Sequence, residues 1–149
     1  VNSTVIGDYD SPKVRFPGSG GANDLASHAR KILIIAPHEK RRFPDRCDYI
    51  TSPGYIDGPE GRKRAGLSVA YPDIFVITDL AVMAIDKAQG VLSVVKLMPG
   101  VSIDQVRENT GFEPQVSPEA ATVEALSERE LHILRDEVDP GGAYLKRAG

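Results

Sequence analysis

The sequence predicts an α/β domain on an open, mainly parallel sheet flanked by helices, and three observations carry that prediction. The dense β-branched run Ile32–Ala36, "ILIIA", has the composition of a strand covered on both faces. It follows a glycine turn and a helical pattern, "GSGGANDLASHARK", so that strand, turn, helix and buried strand succeed one another in a βαβ-like rhythm. A second buried-strand pattern, "IFVITDLAVMAID", returns from Ile74. A length of 149 residues suits one domain with its own core, and 1–149 is read as a single domain.

In chain order, "STVIG" and "KVRF" alternate or run apolar and predict short strands. Asn23 or Asp24 is the expected N-cap of a helix of about two turns, "DLASHARK". Pro37 ends the buried strand, and residues 38–72 are expected to be irregular, with "TSPGYIDGPEGRKRAG" a loop by its glycines and prolines. The strand from Ile74 is expected to bend near Asp79 and to pair through "DKAQG" with "GVLSVVKLMPG" as a hairpin. "SIDQVRENTG" predicts a short helix with Ser102 as N-cap, Ile103 and Val106 on one face, and Gly111 just past its end. Residues 112–126 should be extended. "SERELHILRDEV" is the clearest helix: Ser127 caps it, Glu130 closes a capping box, Leu131, Leu134 and Val138 form its apolar stripe, and "DPGG" stops it.

Composition excludes several function classes. A net charge of −3 gives no global argument for nucleic acid, although basic clusters stand at Lys40-Arg41-Arg42 and Arg62-Lys63-Arg64. The single cysteine, Cys47, allows no internal disulfide, fits a reducing cytoplasm, and is read as a small, partly buried residue. No apolar run approaches the roughly 18 residues of a membrane span. His28, His38 and His132 show no metal-ligand spacing with Cys47 or with carboxylates, so no metal site is expected.

The chemistry centres on Gly18-Ser19-Gly20-Gly21. No Lys-Ser or Lys-Thr closes it as a Walker loop. It half matches the dinucleotide fingerprint, with Asn23 where Gly or Ala is expected. Ser19 lacks the spacing of a nucleophile elbow. Adjacent glycines let backbone N–H groups turn inward without Cβ obstruction, and a helix N-terminus follows, so the turn can hold an anion or a developing oxyanion; a plain strand–helix turn explains the same residues. "HEKRRF" follows the buried strand at a place where α/β folds put ligand sites, and its basic triplet can meet phosphates; a solvated charged loop competes with that reading. Glu39 is a candidate acid or base whose simpler role is an ion pair with a neighbouring cation.

The strings "GSGGANDLAS", "APHEKRRF", "DYITSPGY", "VITDLAVM", "MPGVSIDQVRENTGF" and "LRDEVDPGGAYL", in this order over nearly the whole chain, resemble the β subunit of family I CoA-transferases, with the glutaconate type as nearest kin. The resemblance implies a fold shared with sugar-phosphate isomerases, an α subunit as partner, and transfer of coenzyme A from an acyl-CoA to a free carboxylate. It implies covalent catalysis by a glutamate through a mixed anhydride and a glutamyl-CoA thioester. Gly20, Gly21 and Ala22 are then expected to serve the oxyanion, and Gly18, Ser19, Asn23, Lys40 and Arg41 to contact coenzyme A. One departure matters: no glutamate stands between Val1 and Arg15, where the family's nucleophile would precede the glycine motif. Glu108 in "ENTG" falls after that motif, on a predicted structural helix, and receives no catalytic role. The chain is therefore expected to match the C-terminal part of the subunit, with the N-terminal part of the β subunit as a further partner; either the nucleophile lies on that part or this branch lacks it. A hydrolase of the same fold acting on CoA-linked substrates is the alternative activity.

Overall fold

The computed structural model describes residues 1–143; Tyr144 and Leu145, at the end of the last matching string, lie outside them. Two sheets organise the described chain. β1 (Val5–Gly7) and β2 (Pro12–Arg15) pair only with each other, antiparallel, Ile6 opposite Val14. The predicted βαβ succession therefore does not form: the strand before the glycine turn belongs to a different sheet from the strand after it.

The second sheet has five strands in sequence order: β3 (Lys31–Ile35), β4 (Asp73–Ile77), β5 (Ala81–Asp86), β6 (Val91–Leu97) and β7 (Gln115–Thr122). The open α/β sheet is present, and it is parallel at both flanks, β3 with β4 and β6 with β7. Its middle is an antiparallel meander, β4–β5–β6. The bend expected near Asp79 is a tight turn, in which Thr78 N–H donates to Ala81 O at 2.9 Å and Thr78 Oγ1 lies at the same distance from that oxygen. The hairpin expected through "DKAQG" closes as predicted. Asp86 accepts from Ala88 N and Gln89 N. Gly90 stands at φ +72°, where an added Cβ would meet the Gly58–Pro59 backbone at 2.7 Å. β7 carries Pro118, which lacks an N–H and is tolerated because the strand is at the sheet edge.

The helices are short: α1 (Ala22–His28), α2 (Gly61–Arg64), α3 (Ile103–Glu108) and α4 (Glu128–His132), with a 3₁₀ turn at Lys40–Arg42. Gly21, not Asn23 or Asp24, caps α1. Ser102 and Ser127 cap α3 and α4, each inside a capping box, with Gln105 and Glu130. α4 runs on as a π-helical stretch, Ile133–Val138; of its expected apolar stripe Leu131 and Leu134 are half-buried, while Val138 is 66% exposed. Gly111 is not a helix-terminating residue. α3 ends at Asn109, and Gly111 instead gives its N–H to Phe43 O at 2.7 Å, too close for any Cβ.

Val76, Ala81, Met83 and Val94 form the core with Val106 of α3, joined by Ile34, Leu97 and Ile103. The period-two alternation of strands sends these side chains to one face. The other face of β3 differs from the expectation for "ILIIA": Leu33 is 60% and Ile35 82% exposed, so among the described residues one face of that strand is covered and the other is not. No described helix is long and apolar enough to cross a membrane.

Urea denaturation of the chain should separate the two faces. Met83→Ala is expected to cost about 2–5 kcal/mol. Ile35→Ser should stay within about 0.5 kcal/mol of the parent.

Candidate functional site

The glycine turn is a continuation of the small sheet. Phe16 N bonds Thr4 O at 2.9 Å and Gly18 N bonds Ser3 O at 3.0 Å, so the chain enters the turn fixed on the segment that leads into β1. Gly18 and Gly20 then adopt φ +95° and +51°, conformations that a Cβ would penalise, while Gly21 returns to φ −75° and caps α1. Asn23, the expected N-cap, instead anchors the first turn of α1 by donating Nδ2 to Thr51 O at 2.5 Å.

Donor accounting narrows the site. Gly18 N–H is taken by Ser3 O, and Ala22 N–H by Ser19 O at 3.0 Å. The N–H groups of Ser19, Gly20 and Gly21 have no acceptor among the described residues. Three successive amides on a turn whose φ changes sign form a backbone concavity suited to an anion. A Cβ built at Gly18, Gly20 or Gly21 meets nothing within 4 Å, so the turn is open to an approaching group. The helix contributes little, since α1 has seven residues and Asp24 in its first turn opposes an anion.

The second sequence-predicted element, Lys40–Arg42, lies beyond the C-terminal end of β3. Glu39 pairs with Arg41 at 2.6 Å and Arg42 at 3.2 Å, and these guanidinium groups, Arg41 first, hold its carboxyl below the usual carboxylate range. The ion-pair role expected for Glu39 is thus observed. Lys40 has no ion pair among the described residues. No described hydrogen bond or ion pair joins this turn to the glycine turn. A cavity of about 550 Å³ opens beside the basic turn, lined by Ile35, Ala36, Pro37, Ile77, Thr78 and Asp79, and none of the glycine-turn residues lines it.

Two buried residues escaped the sequence reading. His38 is 4% exposed, its Nδ1 3.0 Å from Thr78 Oγ1 and its Nε2 3.0 Å from Thr110 Oγ1, with Phe43 stacked on the ring at 4.5 Å. Burial lowers its pKa, against a smaller opposing effect of Asp79. The signal in the sequence was its place just past a buried strand, not a metal spacing. Arg62 is the other. The basic cluster Arg62-Lys63-Arg64 divides: Lys63 and Arg64 face outward, bridging Glu60 and Asp57 at 3.5 and 2.8 Å. Arg62 is fully buried. Its guanidinium donates to five carbonyls: Val69 O, Pro53 O, Gly54 O, and Ala26 O and Ser27 O in the last turn of α1. Burial lowers its pKa, and the nearby Tyr55 opposes that. The cation thereby satisfies carbonyls that a helix end leaves unpaired and fixes the rear of the helix whose front is the glycine turn. Cys47, expected to be partly buried, is exposed.

Arg62→Met should destabilise the chain by about 3 kcal/mol in urea denaturation, because it strands buried carbonyls. Arg62→Lys should recover only part of this, since an ammonium cannot reach five acceptors in a fork.

Comparison with known proteins gives the same direction over the whole chain. The family model described as Coenzyme A transferase matches residues 1–109. The B subunit of glutaconate CoA-transferase from Acidaminococcus fermentans is 44% identical over 98% of this chain and 54% of its own length. The B subunit of 3-oxoadipate CoA-transferase from Pseudomonas knackmussii is 42% identical over 91% of this chain and 52% of its own. The crystal structure of the Acidaminococcus glutaconate enzyme superposes with a TM-score of 0.87 at 43% identity, covering 99% of this chain and 56% of that one. The chain spans about half the length of the curated relatives it matches.

Proposed function

Because this chain belongs to the coenzyme A transferase family, we propose that it forms part of the β subunit of a two-subunit acyl-CoA:carboxylate CoA-transferase and supplies its oxyanion loop. The observation that carries the reading is the run of unpartnered amides at Ser19, Gly20 and Gly21, in a chain similar along its length to a transferase subunit. Attack on a thioester carbonyl carbon puts negative charge on the carbonyl oxygen. Amides fixed before the reaction stabilise that charge without reorganising, which is where such donors act most strongly. Gly20 and Gly21 are the central donors, and Ser19 is a third. Ala22 contributes chain direction, since its own N–H is engaged.

The nucleophile in this reading is a glutamate on the N-terminal part of the β subunit. Its carboxylate attacks the thioester, coenzyme A thiolate leaves, and a mixed anhydride forms. The thiolate then attacks the glutamyl carbonyl, releasing the first carboxylate and leaving a glutamyl thioester for the acceptor to take over. Lys40 and Arg41 meet the phosphates of coenzyme A, with Lys40 the cation already free to do so. Gly18, Ser19 and Asn23 line the approach to the thioester. An α subunit completes the cytoplasmic complex. Two relatives above 40% identity are named for glutaconate and 3-oxoadipate, so the proposed acyl group is that of a short dicarboxylic acid.

The assembled enzyme, given a dicarboxylyl-CoA and a free carboxylate, should form the second CoA ester. Release of free coenzyme A without any acceptor would instead assign a hydrolase. Gly21→Val is the sharper loop variant, because Gly21 has negative φ and open space around it. It should leave the melting temperature unchanged and lower kcat by about 10²–10³-fold. Full activity in that variant would remove the loop from the mechanism.

A further inference from the structure

His38 poses a proton-counting problem that its surroundings can solve. Each threonine hydroxyl has one hydrogen and two lone pairs. Thr110 gives its own N–H to Arg107 O at 3.1 Å, so the Val106 carbonyl receives the hydroxyl of Thr110 instead, at 2.7 Å. With that hydrogen committed, Thr110 Oγ1 can only accept from the ring, and Nε2 must carry a proton. On the other side, Thr78 Oγ1 already accepts from Ala81 N at 2.9 Å and Leu80 N at 3.2 Å. Both lone pairs are occupied, so Thr78 has no room for a third donor. Its hydrogen, which can be given to Ala81 O at 2.9 Å, turns to Nδ1 at 3.0 Å without leaving that carbonyl bare, because Ala81 O keeps the N–H of Thr78. The neutral Nε2–H ring, with the Thr78 hydroxyl turned to Nδ1, is therefore a state that satisfies every group.

The same ring closes the base of the basic turn. His38 N–H bonds Asp79 Oδ1 at 2.7 Å, Phe43 stacks on the imidazole, and Phe43 O is held by Gly111 N. Residues 38 and 43 are thus both fastened, and Lys40–Arg42 is the segment held out between them. We infer that His38 is a positioning residue: a neutral imidazole, locked in one tautomer between Thr78 and Thr110, that fixes the Lys40–Arg42 turn on the ends of β4 and α3. This rests on the proposed function only for what the turn binds.

A second proton on the ring would be buried and would place a third donor on Thr78 Oγ1. Of the charged groups, Asp79 from the β4–β5 turn acts on it directly, Glu39, Lys40, Arg41 and Arg42 follow it on its own segment, and Arg107 and Glu108 at the end of α3 are exposed. Of these Asp79 favours the charged ring, and burial outweighs it. The folded-state pKa lies below the ordinary 6.5, so the neutral ring contributes stability that is full above that value and lost as pH falls through the folded-state pKa.

Nitrogen-15 NMR of the chain should show His38 with Nε2 protonated and Nδ1 bare at neutral pH, and titrating only below the ordinary imidazole range. Thr110→Val should mix the tautomers and speed amide exchange at Lys40–Phe43 and Gly111 about tenfold, the effect of one lost buried hydrogen bond; Thr110→Ser should restore both. An Nδ1–H ring, titration near the ordinary value, or unchanged exchange in Thr110→Val would overturn the inference; if that variant does not fold, the parent spectrum and Thr110→Ser still decide it. Added coenzyme A that fails to protect Lys40 and Arg41, with the tautomer as stated, would overturn the phosphate reading and leave the positioning role intact.

Discussion

One buried cation sets the geometry from which the rest follows. Arg62 lies among backbone carbonyls with no acidic partner among the described residues, so five oriented dipoles do the work that a counter-ion would do elsewhere. Those carbonyls come from the end of α1, the Pro53–Gly54 segment and Val69. Three stretches far apart in sequence are therefore referenced to one side chain. The loop Ser52–Gly66, which contains no strand, acquires a defined shape because it must deliver Arg62 to that point. Its tightness shows in Gly61, where a Cβ would sit 2.4 Å from Tyr55 O.

The glycine turn and the basic turn are positioned by opposite strategies. The first is held by backbone bonds at its edges and by Asn23, leaving a row of amides unpaired and no side chain over them. The second is held by side chains at its ends, with His38, Phe43 and Asp79 beneath it and three cations outside. An oxyanion needs donors that do not move as charge develops, and backbone provides that. A flexible phosphate-bearing ligand is met well enough by long side chains on a fixed base.

What was legible in the sequence followed local chemistry. Ser102, Ser127 and Glu130 cap the helices as their spacing indicated, the "DKAQG" hairpin closes, and Glu39 pairs with its neighbours. The glycine turn was visible as a place, though which amides stay free depends on Ser3 and Ser19 carbonyls that no spacing reveals. Long-range choices were not legible. Apolar composition marks a strand but not its sheet, so "KVRF" was joined to the wrong neighbour. Arg62 and Arg64 share a cluster and differ in everything that matters, because only tertiary packing decides which cation finds carbonyls. Gly111 looked like a helix terminator because a glycine just past a helix usually is one, and its actual constraint comes from Phe43, far away in sequence.

The uncovered side of β3 has a consequence for how the isolated polypeptide behaves in a tube. β3 is the outermost strand of its sheet, so its outer row of N–H and C=O groups has no ladder partner among the described residues, and Leu33 and Ile35 stand exposed beside it. Lys31 at its start is the strand's single charge. Natural edge strands are usually blunted by charge, proline or a bulge, and this one carries none of these beyond its first residue. Such an edge templates further strands, and a short β-branched, uncharged run is the composition from which ordered aggregates grow. The five residues of this margin are thus where strand addition to the separate chain is favoured by composition and pairing, independently of the thermodynamic stability of its core.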